Sequence, residues 1–413
     1  MRSLSLLILT LLLTSGLATA QEQSPYDIAL ERIEAARING ATELDLRELG
    51  LNALPPELFQ LDGLTVLNVS YNQLTSLPPE IVQLTNLTTL HVSGNKLREL
   101  PPEIGQLTNL TMLCVHSNQL AALPPEIGHL NSLTELNVSS NQLTVLPAQI
   151  GQLTNLTKLY VYLNQLTVLP PEIGQLTFLN WLHASYNKLT SLPLEIGQLT
   201  RLTDLIVSQN KLTSLPPEIG RLTNLIRLDA VDNKLTSLPS EIGQLDQLLK
   251  LNLQENQLVI VPAEIGQLTN LTELSLWENQ LTSLPPEIGN LSNLVFLWVS
   301  RNRLTSIPWE IGQLKNLQEL ELFDNRLTGI PLEIGQLTNL RYIDISDNRH
   351  NIPLEGGDTD DTLALLDYLR NQAAMQAQQI ALAIAGMVGL VAAFLLAFRW
   401  KTRQSGRKKK RAA

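Results

Sequence analysis

The sequence predicts an α/β solenoid in which short parallel strands alternate with 3₁₀ or extended segments. Three observations carry this prediction: an asparagine recurs every 23 residues, a proline follows it at a fixed distance, and apolar residues alternate before it. Periods of about 20–29 residues with this pattern are typical of a leucine-rich-repeat horseshoe. The thirteen regularly spaced asparagines are Asn72, Asn95, Asn118, Asn141, Asn164, Asn187, Asn210, Asn233, Asn256, Asn279, Asn302, Asn325 and Asn348.

Each part of the repeat has a physical role. The alternation before each asparagine, as in Leu90 to Ser93, predicts a short strand with one face buried. The asparagine amide both donates and accepts, so at the turn it is expected to bond backbone groups that the strand leaves unpaired. Proline stands six residues after the asparagine in twelve consecutive repeats, from Pro78 to Pro331. Because proline fixes φ and removes a donor, it favours 3₁₀ or extended structure on the convex side.

The two ends of the repeat array depart from the pattern, as capping units do. Residues 21–40 are predicted to hold a capping helix that covers the open core. The repeats span 41–353 and number about 14, because Leu49 takes the asparagine position of a degenerate first repeat. Residues 354–379 are predicted to hold a second capping helix and a juxtamembrane segment.

Both termini point to a membrane. Residues 1–20 combine a positive charge, a short apolar run and a small-residue site, which predicts a secretory signal peptide cleaved before Gln21. An uncleaved N-terminal anchor is the alternative. Near the other end, 380–398 contains 19 uncharged, mostly apolar residues, enough for one transmembrane helix. The tail at 399–413 follows it.

A basic cluster beside an apolar span fixes that end in the cytoplasm. The sequence therefore predicts a single-pass protein of the plasma membrane, anchored in the lipid bilayer, with its N-terminus extracytoplasmic and its C-terminus cytoplasmic. Small residues at every fourth position from Ala373 to Ala397 raise the alternative of a homodimer through this helix. The basic membrane-anchor cluster consists of Arg399, Lys401, Arg403, Arg407, Lys408, Lys409, Lys410 and Arg411.

The charge of the predicted exterior argues against nucleic acid as a partner. Without Arg2 and the eight tail charges, 20 basic residues stand against 39 acidic ones, a net charge near −19. Such a surface does not attract an anionic polymer, whereas it is compatible with a ligand that carries basic groups. Cys114 is the only cysteine, so the capping units rely on packing without disulfides.

The candidate site lies on the concave face, which we define as the residues six, four, two and one positions before each asparagine. These columns make up 52 of 413 residues and hold ten of the 18 aromatic residues. Exposed aromatic rings on a rigid sheet resemble binding anchors, although high strand propensity is the alternative explanation. The predicted ligand-binding residues are Tyr160, Tyr162, Trp181, His183 and Tyr186 in a first cluster, and Trp277, Phe296, Trp298, Glu321, Phe323 and Tyr342 in a second.

The sequence carries no enzyme motif of the GxSxG, HExxH or GxxxxGK[ST] kind, and no cofactor is predicted. His91, Cys114 and His116 fall on neighbouring predicted strands. They leave a metal-dependent enzyme as a remote alternative, weakened by the lack of a carboxylate to orient the ligands. The chain is therefore predicted not to be an enzyme.

The unit LPPEIGQLTNLTxLxVxxNxLTSLPPEIGQ resembles the 23-residue class of leucine-rich repeats found in Ras-suppressor-like and Scribble-like proteins and in many bacterial repeat proteins. The resemblance covers residues 41 to about 353, and the flanks at 33–46 and 364–370 look like those of bacterial members. Some bacterial members carry a GTPase module after the repeats. Here an apolar span follows instead, so the resemblance implies a protein-binding scaffold without GTPase activity.

Together these observations predict a membrane-anchored extracytoplasmic leucine-rich-repeat protein that mediates protein–protein interaction through its concave face. The role would be receptor-like or adhesive, and the expected partner is a protein ligand with basic groups. The alternative is a structural or adhesive surface scaffold that binds glycans or associates with itself.

Overall fold

A computed structural model describes residues 23–349 and 362–410, with side chains described at 23–349 and 364–398. The predicted signal peptide at 1–20 lies outside the described residues. The chain divides into two compact units, Met1–Leu212 and Thr213–Ala413.

The first unit begins with helix α1, Pro25–Asn39. The Ser24 hydroxyl accepts a hydrogen bond from the Asp27 N–H at 3.2 Å, and the Asp27 carboxylate accepts one from the Ser24 N–H at 3.3 Å. This reciprocal pair satisfies two donors at the helix start. Gly40, with a φ of 59°, ends the helix in the left-handed conformation. The buried face of α1 consists of Ala29, Ile33 and Ala36.

Each repeat contributes one three-residue strand, and successive strands within a unit pair in parallel with a register of 23 residues, as between Leu159 and Leu182. The first unit contains β1 (Glu43–Asp45), β2 (Val66–Asn68), β3 (Thr89–His91), β4 (Met112–Cys114), β5 (Glu135–Asn137), β6 (Lys158–Tyr160), β7 (Trp181–His183) and β8 (Asp204–Ile206). The second contains β9 (Arg227–Asp229), β10 (Lys250–Asn252), β11 (Glu273–Ser275), β12 (Phe296–Trp298), β13 (Glu319–Glu321) and β14 (Tyr342–Asp344).

A short 3₁₀ helix follows the proline of each repeat, as the sequence predicts. In the first unit these helices are Pro56–Gln60, Pro79–Gln83, Pro102–Gln106, Pro125–His129, Ala148–Gln152, Pro171–Gln175 and Leu194–Gln198. In the second they are Pro217–Arg221, Ser240–Gln244, Ala263–Gln267, Pro286–Asn290, Trp309–Gln313 and Leu332–Gln336. Leucine and isoleucine fill the space between strands and 3₁₀ helices, and most of these side chains are fully buried. The predicted solenoid is thereby confirmed.

The repeated asparagines tie neighbouring repeats together through their side chains. Asn187 Oδ1 accepts from the Leu166 N–H at 2.9 Å. Its Nδ2 donates to the carbonyls of Val161 at 3.0 Å and Ala184 at 3.1 Å. The predicted role of the amide, which is to satisfy backbone groups at the turn, is confirmed by these bonds.

Helix α2, Thr362–Lys410, closes the second unit and runs for 49 residues. Near its start, three buried leucines pack towards the last 3₁₀ helix, Leu332–Gln336. Farther along, the apolar side chains of 380–398 are exposed. Among the described residues, this is the one helix long and apolar enough to cross a membrane. The buried leucines are Leu365, Leu366 and Leu369.

Candidate functional site

The residue before each repeat asparagine adopts a left-handed backbone conformation, which the sequence did not predict. Tyr71 and Tyr186 have φ angles of 56° and 54° in the first unit, and Arg301 has 52° in the second. The conformation turns the chain out of the strand and leaves Tyr71 56% and Tyr186 52% exposed. These side chains therefore stand at the rim of the concave face.

Two columns of the concave face are less exposed than the sequence predicts. Ser139 and Ser300, two positions before an asparagine, are 0% exposed, and Cys114 and Ile206, four positions before, are 8% exposed. The prediction that these columns face solvent is wrong for such residues. Because parallel strands lie only about 4.8 Å apart, side chains of neighbouring strands pack against one another on this face and reduce each other's exposure.

The first cluster joins side chains of β6 and β7 and the turns that follow. The rings of Tyr162 and His183 stack with centroids 4.5 Å apart and planes inclined at 24°. Trp181 is half-buried, and its indole Nε1 is fully buried without a hydrogen-bond partner among the described residues. Burial, and then the nearby Glu135 charge, raises the pKa of Tyr160. Four of the five predicted residues are thus half-buried and close together, while Tyr186 is exposed at the turn.

The second cluster is organised around two tryptophans of the second unit. Phe296 and Trp298 stack with centroids 5.5 Å apart, and the Trp298 Nε1–H donates to Glu319 Oε1 at 2.6 Å. The Arg301 guanidinium lies 5.0 Å from the ring centroid of Trp277 and 6.0 Å from that of Phe323. These distances place a cation over two aromatic rings.

Tyr342 extends the second cluster to the last strand. It lies beside Glu319 in the register of β13 and β14 and is 42% exposed. On the same two strands Glu321 lies beside Asp344. Burial raises the pKa of Glu321 to about 7, and a hydrogen bond with Glu319 and the charges of Glu319 and Asp344 add to this effect.

A hollow of about 320 Å³ opens in the second cluster, lined by Gln254, Trp277, Trp298 and Glu321. Ser275, beside Trp298 in the register of β11 and β12, is buried and accepts a hydrogen bond from Gln254 Nε2 at 2.7 Å. Sequence reasoning missed Gln254. The available signal was its column, since it stands two positions before Asn256 as Trp277 stands before the next asparagine.

A second hollow, of about 470 Å³, was missed entirely from the sequence. A usable signal was the column seven positions before each asparagine. It is threonine in the first five full repeats, but Leu249, Val295 and Gln318 replace threonine at this hollow. Its lining consists of Leu249, Asn270, Thr272, Asn293, Val295, Asn316, Gln318 and Asn339.

The histidine and cysteine group considered for a metal is only partly assembled. His91 and Cys114 lie side by side in the register of β3 and β4. Burial raises the pKa of the Cys114 thiol to about 11 and lowers the pKa values of His91 and His116. Across the side chains described at 23–349 and 364–398, no three His, Cys, Asp or Glu residues are placed to hold a metal ion. The basic membrane-anchor cluster lies outside these ranges.

The repeats match two family models. One, described as a leucine-rich repeat, matches residues 39–97, 85–143 and 108–166. The other, described as a leucine-rich repeat region, matches 208–280 and 240–381. No curated protein sequence matches the chain.

Solved structures give the same family. A leucine-rich-repeat protein of Leptospira interrogans is 40% identical, with a TM-score of 0.64; the match covers 77% of this chain and 93% of that one. The chain therefore belongs to the leucine-rich-repeat family. The plant peptide hormone receptor RGFR1 in complex with RGF2 is 33% identical, with a TM-score of 0.64, over 77% of this chain and 57% of that one. The ectodomain of the Arabidopsis receptor kinase HAESA, in complex with a peptide hormone, is 27% identical with a TM-score of 0.59, over 74% and 58%.

Proposed function

We propose that this protein is a membrane-anchored, extracytoplasmic leucine-rich-repeat protein that binds a protein ligand through its concave face. One observation carries the proposal: each unit gathers half-buried aromatic rings on its strands and on the turns that follow them, with ring centroids 4.5 Å apart in the first cluster and 5.5 Å in the second. The repeat consensus does not require rings at these positions, because other repeats hold serine, asparagine or valine there.

The chemistry of these rings suits a protein partner. Tryptophan and tyrosine offer large, rigid contact areas that lose little conformational entropy on binding, and they are enriched among the residues that dominate interface energetics. The acidic net charge of the exterior favours a partner that carries basic groups.

Two relatives support a peptide or protein ligand. The structures of RGFR1 and of the HAESA ectodomain are both complexes, the first with RGF2 and the second with a peptide hormone. This chain spans 57% and 58% of their lengths, so the proposal takes from them only the use of a repeat surface for binding.

A capture experiment tests the concave face. The full chain, purified in detergent and immobilised, is exposed to native surface and extracellular extract. A variant with Trp181→Ser, Trp277→Ser and Trp298→Ser removes the anchors. Trp309→Ser is the matched control, because Trp309 is 56% exposed but belongs to the 3₁₀ helix Trp309–Gln313, away from the strands.

The expected result is a protein retained by the unaltered chain and by Trp309→Ser but lost from the triple variant, with circular dichroism unchanged. Equal recovery by all three would remove the concave face from the proposal. Recovery of a glycan, or of the chain itself, in place of a different protein would favour the structural or adhesive alternative. A discrete soluble ligand would favour a receptor over an adhesin.

The anchoring and orientation rest on 380–398 and the basic residues after it. We expect the full chain to stay with membranes during an alkaline wash, and a chain ending at Gln379 to be released. With intact cells, protease added outside should remove the repeats and spare an epitope placed after Ala413. Loss of the epitope with the repeats protected would reverse the orientation, and release of the full chain by the wash would refute the anchor.

A further inference from the structure

We propose that the hollow lined by Gln254, Trp277, Trp298 and Glu321 binds one organic cation, the guanidinium group of an arginine in the protein ligand. The inference rests on the proposed function and names the chemistry that the concave face recognises.

The hollow exists because a small residue lies between large ones. Ser275 is buried, and its hydroxyl accepts a hydrogen bond from the amide of Gln254. No large side chain therefore projects from this position of β11 to fill the space. Trp298 stands beside Ser275 in register, and Trp277 is two residues after it in the chain. The resulting space of about 320 Å³ is lined by the two tryptophans, by Gln254 and by Glu321.

Indole walls favour a cation, because the negative face of the ring attracts positive charge. The chain itself places a guanidinium on one of them: Arg301 lies 5.0 Å from the Trp277 centroid, with its Nη1 3.3 Å from the Glu278 carboxylate. In this arrangement one guanidinium contacts both an aromatic ring and a carboxylate. The same pair of contacts is proposed for the ligand cation in the hollow. The Trp298 N–H donates to Glu319, which does not line the hollow. This hydrogen bond fixes the position of the Trp298 ring.

The charges around the hollow leave negative charge in excess. Arg301 is paired with Glu278, and Lys250 of β10 is paired with Glu273 of β11 at 2.7 Å. On β13 and β14, Glu319, Glu321 and Asp344 face one another, and within the described residues neither glutamate forms a salt bridge. A ligand cation would supply the missing counter-charge.

Burial beside Glu319 and Asp344 raises the pKa of Glu321 to about 7. Near neutral pH about half of the Glu321 carboxyl groups are therefore protonated. A bound cation favours the ionised form of Glu321. Binding should therefore release a proton, and affinity should rise from about pH 6 to about pH 8. Arginine suits the hollow better than lysine because its planar group stacks on indole and bonds a carboxylate through two N–H donors.

The test uses the full chain in detergent micelles and N-acetyl-arginine amide as the probe. N-acetyl-citrulline amide, which has nearly the same shape without the charge, is the matched control ligand. Binding is followed by saturation-transfer NMR across a titration. Glu321→Gln removes the charge with little change of shape, and Glu310→Gln, on the 3₁₀ helix Trp309–Gln313, is the matched control variant.

At about pH 8 we expect the arginine compound to bind at least about tenfold more tightly than the citrulline compound, since an opposite charge at close range is commonly worth a factor of this order. Glu321→Gln should abolish this preference, and Glu310→Gln should keep it. No binding of the arginine compound, equal binding of both compounds, or a preference that survives Glu321→Gln would each overturn the proposal.

The two proposals fail separately. If the capture experiment retains a protein that the tryptophan variant loses, while the arginine compound does not bind, the concave face remains a protein-binding surface and the cation site is refuted. If the arginine compound binds as expected but no concave-face partner is captured, the cation chemistry holds and the protein ligand is refuted.

Discussion

The indole N–H of Trp298 donates to Glu319 Oε1 at 2.6 Å, across neighbouring strands of the second unit. The residues are 21 positions apart in the chain, and the bond joins a tryptophan that lines the hollow to a half-buried pair of carboxyl groups. Burial raises the pKa of the neighbouring Glu321 to about 7, and a hydrogen bond with Glu319 and the charges of Glu319 and Asp344 add to this effect.

This raised pKa predicts that the second unit loses stability as the pH rises. Between the ordinary value of 4.5 and about 7, the folded chain keeps a proton on Glu321 that the unfolded chain has released. The stabilisation is fully present below the first value and is lost as the pH passes the second. Denaturation midpoints should therefore be higher at about pH 5 than at about pH 8, and Glu321→Gln should reduce this difference. An undiminished difference in the variant would exclude Glu321 as the titrating group.

The asparagine bonds predict a large loss of stability on truncation. Asn187→Ala would leave the buried Leu166 N–H and the Val161 carbonyl without this side-chain partner. We expect the free energy of unfolding to fall by about 3 kcal/mol, since each buried group left unsatisfied costs about 1–3 kcal/mol. Asn155→Ala is the control, because Asn155 donates one exposed bond, to the Asn131 carbonyl at 2.8 Å.

Denaturant titrations compare Asn187→Ala with Asn155→Ala, and hydrogen exchange at the Leu166 amide locates the effect. Similar small losses in both variants would show that the amide ladder contributes little to stability.

A glycine of the 3₁₀ segment predicts a steric effect. A Cβ at Gly220 would lie 2.6 Å from the Glu241 carbonyl oxygen of the next repeat, whereas a Cβ at Gly329 would have no heavy atom within 4 Å. Gly220→Ala should therefore destabilise the second unit by about 1–3 kcal/mol. Gly329→Ala should be neutral or stabilising by about 0.5 kcal/mol, because alanine restricts the unfolded chain. Thermal unfolding of the two variants measures both effects. An equal effect at both sites would contradict the close approach of Gly220 to the Glu241 carbonyl oxygen.

The single thiol should react slowly. Burial raises the pKa of Cys114 from 9.0 to about 11, so it stays protonated at neutral pH. Iodoacetamide should label it at about pH 8 at least about a hundredfold more slowly than an exposed thiol, because the thiolate is the reactive form. The control is the double variant Cys114→Ser with Ser117→Cys, whose single thiol stands at an exposed position three residues after Cys114. Equal labelling rates in the folded proteins, measured by mass spectrometry, would contradict the burial of Cys114.

The repeating elements were predictable because each depends on residues within one period. The strand alternation, the proline before each 3₁₀ helix and the asparagine amide at the turn all follow from local sequence. The left-handed turn was not predicted, since Tyr71, Arg301 and other unlike residues adopt it at the same position. The packing of neighbouring repeats imposes that conformation, and the type of side chain does not determine it.

The candidate site was predicted in part. The sequence located the aromatic columns but treated every position in them as exposed, and the structure buries Ser139, Cys114 and Ile206. The column of Gln254 places it on the concave face, but its own repeat does not show that its side chain lines a hollow. Its part in the hollow depends on Ser275 and Trp298, which come from the next two repeats.

By itself the sequence determined the solenoid, because a period of 23 residues with fixed asparagine, proline and leucine positions allows each repeat to bury its apolar face only against its neighbours. Tertiary structure alone decided what the concave face offers a ligand. The hollow between two tryptophans, the bond from Trp298 to Glu319 and the raised pKa of Glu321 arise between residues about one period apart. Their side chains meet only when the strands stack in register.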